Sequence, residues 1–531
     1  MPTTKIPYHQ TGYFSALMCD YLSKEGATKT FYHRYPALDQ FKSQLEEKQA
    51  SFSMEQRKVL VEELEQQYTS LDTSEATQNN IASLATENTF TITTGHQLNL
   101  FTGPLYFLYK IFSVINLAER LCEVYPNQHF VPVYWMATED HDFDEINYFN
   151  LHGKKIAWNR KSSGAVGSLS NEGLDEVLSV LKTEFGASEQ GKRLTQLFKA
   201  AYTKHDTLAA ATRYLGNELF KKYGLVVIDG DSKVLKNAFI PYAQLELSEN
   251  RSFHEVTKTT QHLVNAGYGE QVHPREINLF YLKDGLRERI IEQEGRFIVN
   301  DTKISFSSEE IEAELQAHPE RFSPNALLRP LYQEVILPNL CYTGGGGELA
   351  YWFQLKDYFS SVEVSFPILL LRNSALLVAR KYSEKLKKLN VSVADLFQKQ
   401  HELISAHTKI VSEIKIDFSV QKEHLKQQFT DLYEIAKQTD ASFAGAVAAQ
   451  EKKQINGLAH LEMRLLRAQK RKLADQLDRL TAIQDALFPG KSLQERNTNF
   501  SEFYLEYGDD LLSQLKQNLD PLALEFTVLE L

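Results

Sequence analysis

Short apolar runs alternate with longer helical patterns in the middle of the chain. Residues 90–93 and 129–137 are strand-like, and between them residues 104–121 repeat apolar side chains at helical spacing after a proline suited to a first helical position. A strand, a helix of this length and a second strand form a βαβ unit, which predicts a parallel sheet. Residues 224–231 and 362–371 are candidates for further strands.

The flanking regions have different patterns. Residues 1 to about 85 are polar and helical, with one amphipathic helix predicted over 53–71, and residues 250–325 mix short strands with polar turns. Proline is absent from 380–488, where Leu466, Leu473, Leu480 and Leu487 recur every seven residues. This repeat predicts a long helical hairpin or a coiled coil.

These patterns divide the chain into five parts. We expect N-terminal helices and the first part of an α/β core in 1–150, insertions with a core strand near 224–231 in 151–325, the last part of the core in 326–379, a helical coiled coil in 380–490, and a C-terminal segment returning to the core in 491–531.

Composition excludes several classes of protein. With 531 residues and a net charge of −11, the chain lacks the basic character of a general nucleic-acid binder. Cys19, Cys122 and Cys341 lie far apart, without the spacing of a zinc site or a disulfide framework, so we expect no metal held by cysteine and a reducing compartment. Neither a secretory signal nor an apolar run of membrane-spanning length is visible, so we expect a cytoplasmic protein without a membrane partner.

The first of three polar loops follows the first predicted strand. It contains Thr94, Gly95, His96, Gln97 and, before the next helix, Gly103. Small residues let a ligand approach the backbone, and the helix that follows offers free N–H groups to an anion such as a phosphate. His96 is able to donate a hydrogen bond or move a proton. The alternative is a plain turn with a capping threonine.

The second loop is acidic and follows the second predicted strand directly. Glu139, Asp140, His141, Asp142 and Asp144 lie within a few positions of one another. Like charges this close need a cation, an amine or a proton, so the loop suits Mg²⁺, a substrate ammonium or a general base. The alternative is a solvated acidic loop.

The third loop, within 339–359, contains four consecutive glycines. Gly344, Gly345 and Gly346 are able to turn backbone N–H groups towards an anion at the start of a helix, although the sequence matches neither the P-loop nor the dinucleotide fingerprint. A flexible turn is the alternative. Neighbouring Cys341 is either a nucleophile or, more commonly for cysteine, a small buried side chain.

Because the carboxyl ends of parallel strands meet at one edge of a sheet, the three loops predict one crevice. It would combine anion-binding backbone with carboxylates, which suits ATP-dependent activation of a carboxylate or another nucleotidyl or phosphoryl transfer. Four segments then carry a resemblance to a known family: 93–110, 132–146, 328–352 and 487–500. In them the chain resembles the BshC family, the cysteine-adding enzymes of bacillithiol biosynthesis.

The resemblance implies an α/β fold. Its Rossmann-like core would resemble class I aminoacyl-tRNA synthetases, with two connecting-peptide insertions and a C-terminal α-helical coiled coil through which family members form homodimers. The implied reaction joins the carboxyl group of cysteine to the amine of glucosaminyl-malate. Many members carry glutamine at the position of His96 and glycine at that of Thr138, so His96 is better suited to hydrogen bonding than to an indispensable proton transfer.

These observations lead to a hypothesis for the site. Asp140, His141 and Asp142 would bind the amine or accept its proton, with Glu139 and Asp144 as further substrate contacts. The glycine-containing loops would hold a phosphate of ATP or ADP, or a substrate carboxylate, and Mg²⁺ is compatible with the acidic loop. Arg329 and Arg372 would pair with the malate carboxylates, because a planar guanidinium suits bidentate pairing.

Two other classes of protein stay open. One is a nucleotide-binding regulatory or scaffold protein whose Rossmann-like core is not catalytic, for which the basic run 464–472 offers a second binding place. The other is a tRNA-binding relative of the synthetases, which the acidic net charge disfavours.

Overall fold

The computed structural model describes residues 3–531. The N-terminal part forms one strand and five helices: β1 (Thr3–Pro7), α1 (Tyr8–Thr11), α2 (Ala16–Leu22), α3 (Gln40–Ser51), α4 (Met54–Tyr68) and α5 (Glu75–Ser83). The predicted helix over 53–71 is α4, which begins at a capping box in which the side chains of Ser53 and Gln56 bond each other's backbone N–H groups. Strand β1 was not predicted.

The core is a parallel sheet of five strands: β2 (Thr89–His96), β3 (His129–Met136), β6 (Val226–Asp229), β12 (Asn339–Gly344) and β13 (Ile368–Leu371). Their order in space is β13-β12-β2-β3-β6. Read from β6, this is the third, second, first, fourth and fifth core strand along the chain, which is the doubly wound order. The strands are almost entirely buried, because helices cover both faces.

The predicted βαβ unit is present. Helix α6 (Tyr106–Val124) connects β2 to β3, which pair in parallel from Thr89 opposite His129 to His96 opposite Met136. Strand β12 was missed, because its residues were interpreted as part of the glycine loop. The predicted strand over 362–371 is limited to β13, because the chain turns before it.

Two insertions interrupt the core, as expected. The first, between β3 and β6, contains α7 (Phe143–Ile146), β4 (Tyr148–Leu151), β5 (Lys154–Ala157), α8 (Leu174–Phe185), α9 (Glu189–Thr203) and α10 (Leu208–Phe220). The second begins with α11 (Lys233–Asn237), α12 (Ile240–Glu249) and α13 (Arg251–Asn265). It continues as an antiparallel sheet of β7 (Leu279–Lys283), β8 (Leu286–Gln293), β9 (Arg296–Val299), β10 (Ser305–Phe306) and β11 (Phe322–Pro324), with α14 (Ser308–Ala317) before β11.

Three helices complete the core: α15 (Arg329–Ile336) precedes β12, and α16 (Gly346–Phe353) and α17 (Lys356–Ser361) follow it. The C-terminal part contains β14 (Ala375–Val378), α18 (Arg380–Leu389), α19 (Gln400–Val411), α20 (Ser419–Ala436), α21 (Ala441–Lys472), α22 (Ala474–Leu487), α23 (Phe500–Tyr507), α24 (Asp509–Asn518) and β15 (Glu525–Glu530). Among residues 3–531, no helix combines the length and apolar character needed to span a bilayer.

The predicted helical hairpin is formed by α20 and α21. These helices run antiparallel, with Lys422 paired to Glu462 and the Tyr433 hydroxyl bonded to Glu451. The seven-residue leucine repeat does not form one continuous seam, because α21 ends before Leu473 and α22 begins after it. Leu480 and Leu487 are buried in the main core instead.

The C-terminal residues return to the core. Strand β15 pairs antiparallel with β1 and parallel with β14 in a separate, three-stranded sheet. Residues 494–499 also reach back to the edge of the main sheet, where Glu495 and Asn499 are buried.

Candidate active site at the switch point of the core sheet

The strand order reverses between β2 and β12, and doubly wound sheets bind ligands in the crevice at the carboxyl ends of such strands. A cavity of about 90 Å³ lies there, which we term the crevice cavity. The ends of β2, β3 and β12 and the starts of α15 and α16 line it, and its polar lining includes Gln97, Arg329 and Glu348. Of the predicted residues, Gly95 and His96 also belong to the lining.

The turn after β2 is tightly packed. Phe101, Thr102 and Gly103 all have positive φ, and a methyl group added at Gly103 would lie 2.7 Å from Asn99 Cβ. Asn499 closes the turn by donating to the carbonyl oxygens of Phe101, at 2.9 Å, and Gly103, at 2.5 Å. Gly103 is therefore part of a structural turn outside the lining of the crevice cavity.

His96 ends β2 and is buried, in contact with the rings of Tyr106 and Phe107. Its Nε2 has no hydrogen-bond partner within residues 3–531. Burial and the nearby Lys110 ammonium lower the pKa of His96 well below its usual value, so the ring is neutral. The hydroxyl of Thr94 donates to the Thr343 carbonyl at 2.7 Å and joins β2 to β12.

An ion pair between buried Lys110 and partly exposed Glu348 lies beside the crevice cavity. Lys110 on α6 is 1 % exposed, donates to the Gly95 carbonyl at 2.6 Å and pairs with Glu348. Glu348 also accepts from the N–H of Gly345 at 3.0 Å, which caps α16. The carboxylate of Glu348 thus occupies the cavity side of the helix start, where an anion would otherwise bind.

Cations from other elements balance the acidic loop after β3. Glu139 is buried and lies 2.7 Å from Lys236 of α11, which also pairs with Asp231 at 2.8 Å. Burial alone would lower the pKa of Lys236, but the two carboxylates raise it above its ordinary value. Glu139 therefore anchors the loop and does not face the crevice as a free carboxylate.

Three neighbouring groups hold the carboxylate of Asp140 in place. Its carboxylate accepts from the backbone N–H of His141 at 2.9 Å and from Gln97 Nε2 at 3.2 Å, and it lies 4.0 Å from Arg329 Nη2. Burial opposes ionisation, but these bonds and the Arg329 and Arg287 charges lower the pKa of Asp140 below its usual range. Asp140 is therefore a fixed negative charge and a weak base.

His141 connects Asp142 to an arginine from the second insertion. Arg287 of β8 donates to His141 Nδ1 at 2.7 Å, and His141 Nε2 lies 3.8 Å from Asp142. The Asp140 carboxylate beside the ring raises the pKa of His141, whereas burial and Arg287 favour the neutral ring. The ligand atoms of Asp140, His141 and Asp142 lie within 4.8 Å of one another, close enough to hold a metal ion.

The glycine loop and Arg372 line a second cavity of about 180 Å³, which we term the arginine cavity. Glu348 and Tyr351 of α16 face the crevice cavity, whereas Gly346 and Ala350 face this one. Arg372 pairs with buried Glu495 at 2.8 Å, so the structure separates Arg372 from Arg329. Gly344 is needed for packing, since a methyl group there would lie 2.9 Å from the buried ring of Tyr342, at Cε1, and 3.1 Å from Glu348 Cβ.

Two further candidate residues lie apart from these groups. Asp144 is exposed and forms no ion pair within the described chain. Cys341 lies in β12 and is fully buried, and burial raises the pKa of its thiol, which is the opposite of what an activated nucleophile needs.

Sequence reasoning missed the residues that balance the acidic loop, namely Lys236 and Arg287. Both come from the second insertion, and no spacing links them to the loop. Lys110 had a detectable signal, because it is a lone charge within the apolar run of α6. A charged residue at such a position is buried only when it is paired.

Comparison with known proteins agrees with this architecture. The family model described as the N-terminal Rossmann-like domain of bacillithiol biosynthesis BshC matches residues 1–373, and that of the BshC C-terminal coiled-coil domain matches residues 375–531. These matches confirm the predicted fold class.

Relatives match along the whole length. A protein of Christiangramia forsetii is 55% identical over 100% of this chain and 99% of its own, and one of Flavobacterium johnsoniae is 55% identical over 100% of both. A more distant relative from Bacillus cereus is 28% identical over 94% of this chain and 95% of its own. All three are named "Putative cysteine ligase BshC". The chain belongs to the BshC family.

Proposed function

We propose that this protein is a ligase of bacillithiol biosynthesis that joins the carboxyl group of cysteine to the amine of glucosaminyl-malate as an amide. The names of its relatives support a cysteine ligase. The observation that carries the proposal is the group of Asp140, His141, Asp142, Arg287 and Arg329 beside the crevice cavity. An amine and a carboxylate are the groups that such a mixture of charges binds.

The charged residues of this group have separate roles in the proposed reaction. Arg329 has a 22% exposed side chain and lies in the lining of the crevice cavity, so it is available to a substrate carboxylate. Asp142 has a 51% exposed side chain, and its carboxylate is available to the attacking amine. Asp140 and His141 position these two groups, because their own hydrogen bonds are already occupied by Gln97 and Arg287.

The reaction requires activation of the cysteine carboxylate. We propose that ATP supplies it, by forming either an acyl-adenylate with release of pyrophosphate or an acyl-phosphate with release of ADP. The amine nitrogen then attacks the carbonyl carbon, the C–N bond forms and the bond to the leaving phosphate oxygen breaks. The proton of the amine passes to Asp142.

Mg²⁺ would suit the same loop. Asp140 and Asp142 offer the carboxylate oxygens that Mg²⁺ prefers, and proteins often hold this ion through one or two carboxylates together with substrate phosphates. Bound there, it would neutralise phosphate charge during activation.

The activity is tested by incubating the purified protein with cysteine, glucosaminyl-malate and ATP, with and without Mg²⁺, and measuring products by mass spectrometry. Bacillithiol formed together with AMP supports the adenylate, and bacillithiol with ADP supports the acyl-phosphate. Absence of product with any nucleotide would contradict the proposal and favour a binding protein without catalysis.

The role of Asp142 is tested in the same assay. Asp142→Asn is expected to lower turnover at least about 100-fold, since general acid–base groups contribute about 10²–10⁴-fold. Asp284→Asn is the matched control, because Asp284 is exposed in the turn between β7 and β8 and forms no ion pair within residues 3–531. Undiminished turnover of Asp142→Asn would remove this residue from catalysis.

We also propose that the protein is a cytoplasmic homodimer joined through the α20–α21 hairpin. Large apolar side chains are exposed on these helices, including Leu432, Ile435, Phe443, Leu461 and Met463. Light scattering of the purified protein tests this assembly, and a monomer at micromolar concentration would contradict it.

A further inference from the structure

The arginine cavity lies on the opposite face of α16 from the acidic loop, and its charge differs from that of the rest of the molecule. Its charged lining consists of Arg372 and Arg496, without any carboxylate. In a protein whose net charge is −11, two guanidinium groups meet at this cavity, and only that of Arg372 has a carboxylate partner, Glu495.

Arg372 is buried to 97% and is only partly satisfied. Nη1 donates to the Asn373 carbonyl at 2.8 Å and to the Ser374 hydroxyl at 3.1 Å, and Nη2 pairs with Glu495 at 2.8 Å. The remaining donor, Nε, is buried and has no partner within residues 3–531. A methyl group added at Gly345 would lie 3.7 Å from this Nε, so the free donor faces the glycine loop.

The backbone adds further donors. Gly346 and Gly347 form the first turn of α16, where N–H groups have no acceptor within the helix. Both glycines line the arginine cavity, and a Cβ at Gly347 would meet open space. The positive end of the helix dipole therefore lies at this cavity, while Glu348 occupies the other side.

Arg496 completes the set from the C-terminal segment. Its side chain lies in the cavity lining and forms no ion pair within the described chain, so its whole guanidinium fork is free. The Tyr106 ring packs against the Arg372 guanidinium at 4.9 Å. Glu495, the residue before Arg496 in the chain, holds Arg372 in place through its ion pair.

We propose that the arginine cavity is a binding site for an oxyanion, a phosphoryl or carboxylate group, held by Arg372 Nε, the Arg496 guanidinium and the N–H groups of Gly346 and Gly347. Such an anion is either a phosphate of the nucleotide or a carboxylate of malate. The role of the bound anion in the reaction depends on the proposed function. The existence of the site does not depend on it.

Calorimetric titration of the full-length protein with sodium phosphate, sodium pyrophosphate and L-malate, at low ionic strength and without cysteine, tests the site. Arg496→Gln is expected to weaken binding of the preferred anion about tenfold or more, because it removes charge-assisted hydrogen bonds. Arg496 is exposed, so this variant is expected to fold, and its unchanged melting temperature would verify this. Arg479→Gln, an exposed arginine of α22 outside the cavity, is the matched control and is expected to bind as the unmodified protein does.

The three anions distinguish the two sources. Tightest binding of pyrophosphate or phosphate assigns the cavity to the nucleotide, and tightest binding of malate assigns it to the acceptor substrate. Absence of binding by all three, or equal binding by Arg496→Gln and the unmodified protein, would overturn the site. Anion binding without any bacillithiol formation would contradict the proposed function alone, and product formation without an effect of Arg496→Gln on binding would contradict the site alone.

Discussion

The acidic loop after β3 and the glycine loop after β12 follow strands at the same edge of the core sheet, but the two loops differ in how their charged groups are paired. The acidic loop is balanced by cations from other elements: Lys236 of α11, Arg287 of β8 and Arg329 of α15. Around the glycine loop, Arg372 has one carboxylate partner and Arg496 has none within residues 3–531. The difference teaches that a cluster of like charges in the sequence does not determine the charge of the folded site.

The largest effect on stability is expected when the acidic loop loses a cation that pairs with its carboxylates. Lys236→Met leaves Glu139 and Asp231 without their shared cation, and removing one partner of a buried pair costs about 3–5 kcal/mol. Urea unfolding measures this loss. Lys233→Met, in the same helix but with a 53% exposed side chain, is the control and is expected to change stability by less than about 1 kcal/mol. Equal midpoints for the two variants would show that the loop does not depend on Lys236.

A smaller effect is expected at Glu348, which lies between the two cavities. Glu348→Gln leaves Lys110 buried without a carboxylate and is expected to cost about 1–3 kcal/mol of folding free energy. Because it also removes a negative charge from the start of α16, phosphate binding in the arginine cavity should become tighter. Calorimetry and urea unfolding of one preparation check both results. Weaker phosphate binding would show that Glu348 does not compete with an anion.

The smallest effect concerns pH. Burial holds the pKa of His96 below its unfolded value, so the stability linked to the neutral ring is complete above about pH 6.5 and falls as the pH drops below it, by up to about 1.4 kcal/mol per unit. His96→Gln lacks this titration, and its free energy of unfolding should fall less between pH 6.5 and 5. Parallel pH profiles for the two proteins would contradict a neutral, buried His96.

The strands and the insertions were predictable because they depend on local patterns. The alternation of apolar runs and amphipathic helices predicted β2, α6 and β3. The mixture of short strands and polar turns in 250–325 predicted an insertion, but not the antiparallel pairing of its strands. Strand β12 was missed, since its glycine-rich end resembles a loop until β2 and β13 are placed on either side of it. The predicted coiled-coil domain is confirmed, but the leucines of the repeat lie in two helices, because periodicity alone does not show where a helix breaks.

The candidate site was predictable only where it is contiguous in sequence. Asp140, His141 and Asp142 come together with Gln97 and Arg329, because strand ends converge at one edge of the sheet. Arg287 and Glu495 were not predictable, since long-range contacts bring them to the site without any shared spacing. Arg372 was correctly placed at a strand end, but its partner Glu495 lies over a hundred residues later in the chain.

The small sheet of β1, β14 and β15 also has a consequence for the order of folding during synthesis. Thr3 and its neighbours pair with residues 525–529, so β1 has no partner until about 520 further residues have been made, roughly 25 to 100 s at 5–20 residues per second. Glu495 and Asn499 arrive in the same final stretch and secure Arg372 and the turn after β2. During synthesis the edge of the core sheet that carries the candidate site is therefore completed late, and until then β1 has no strand to pair with.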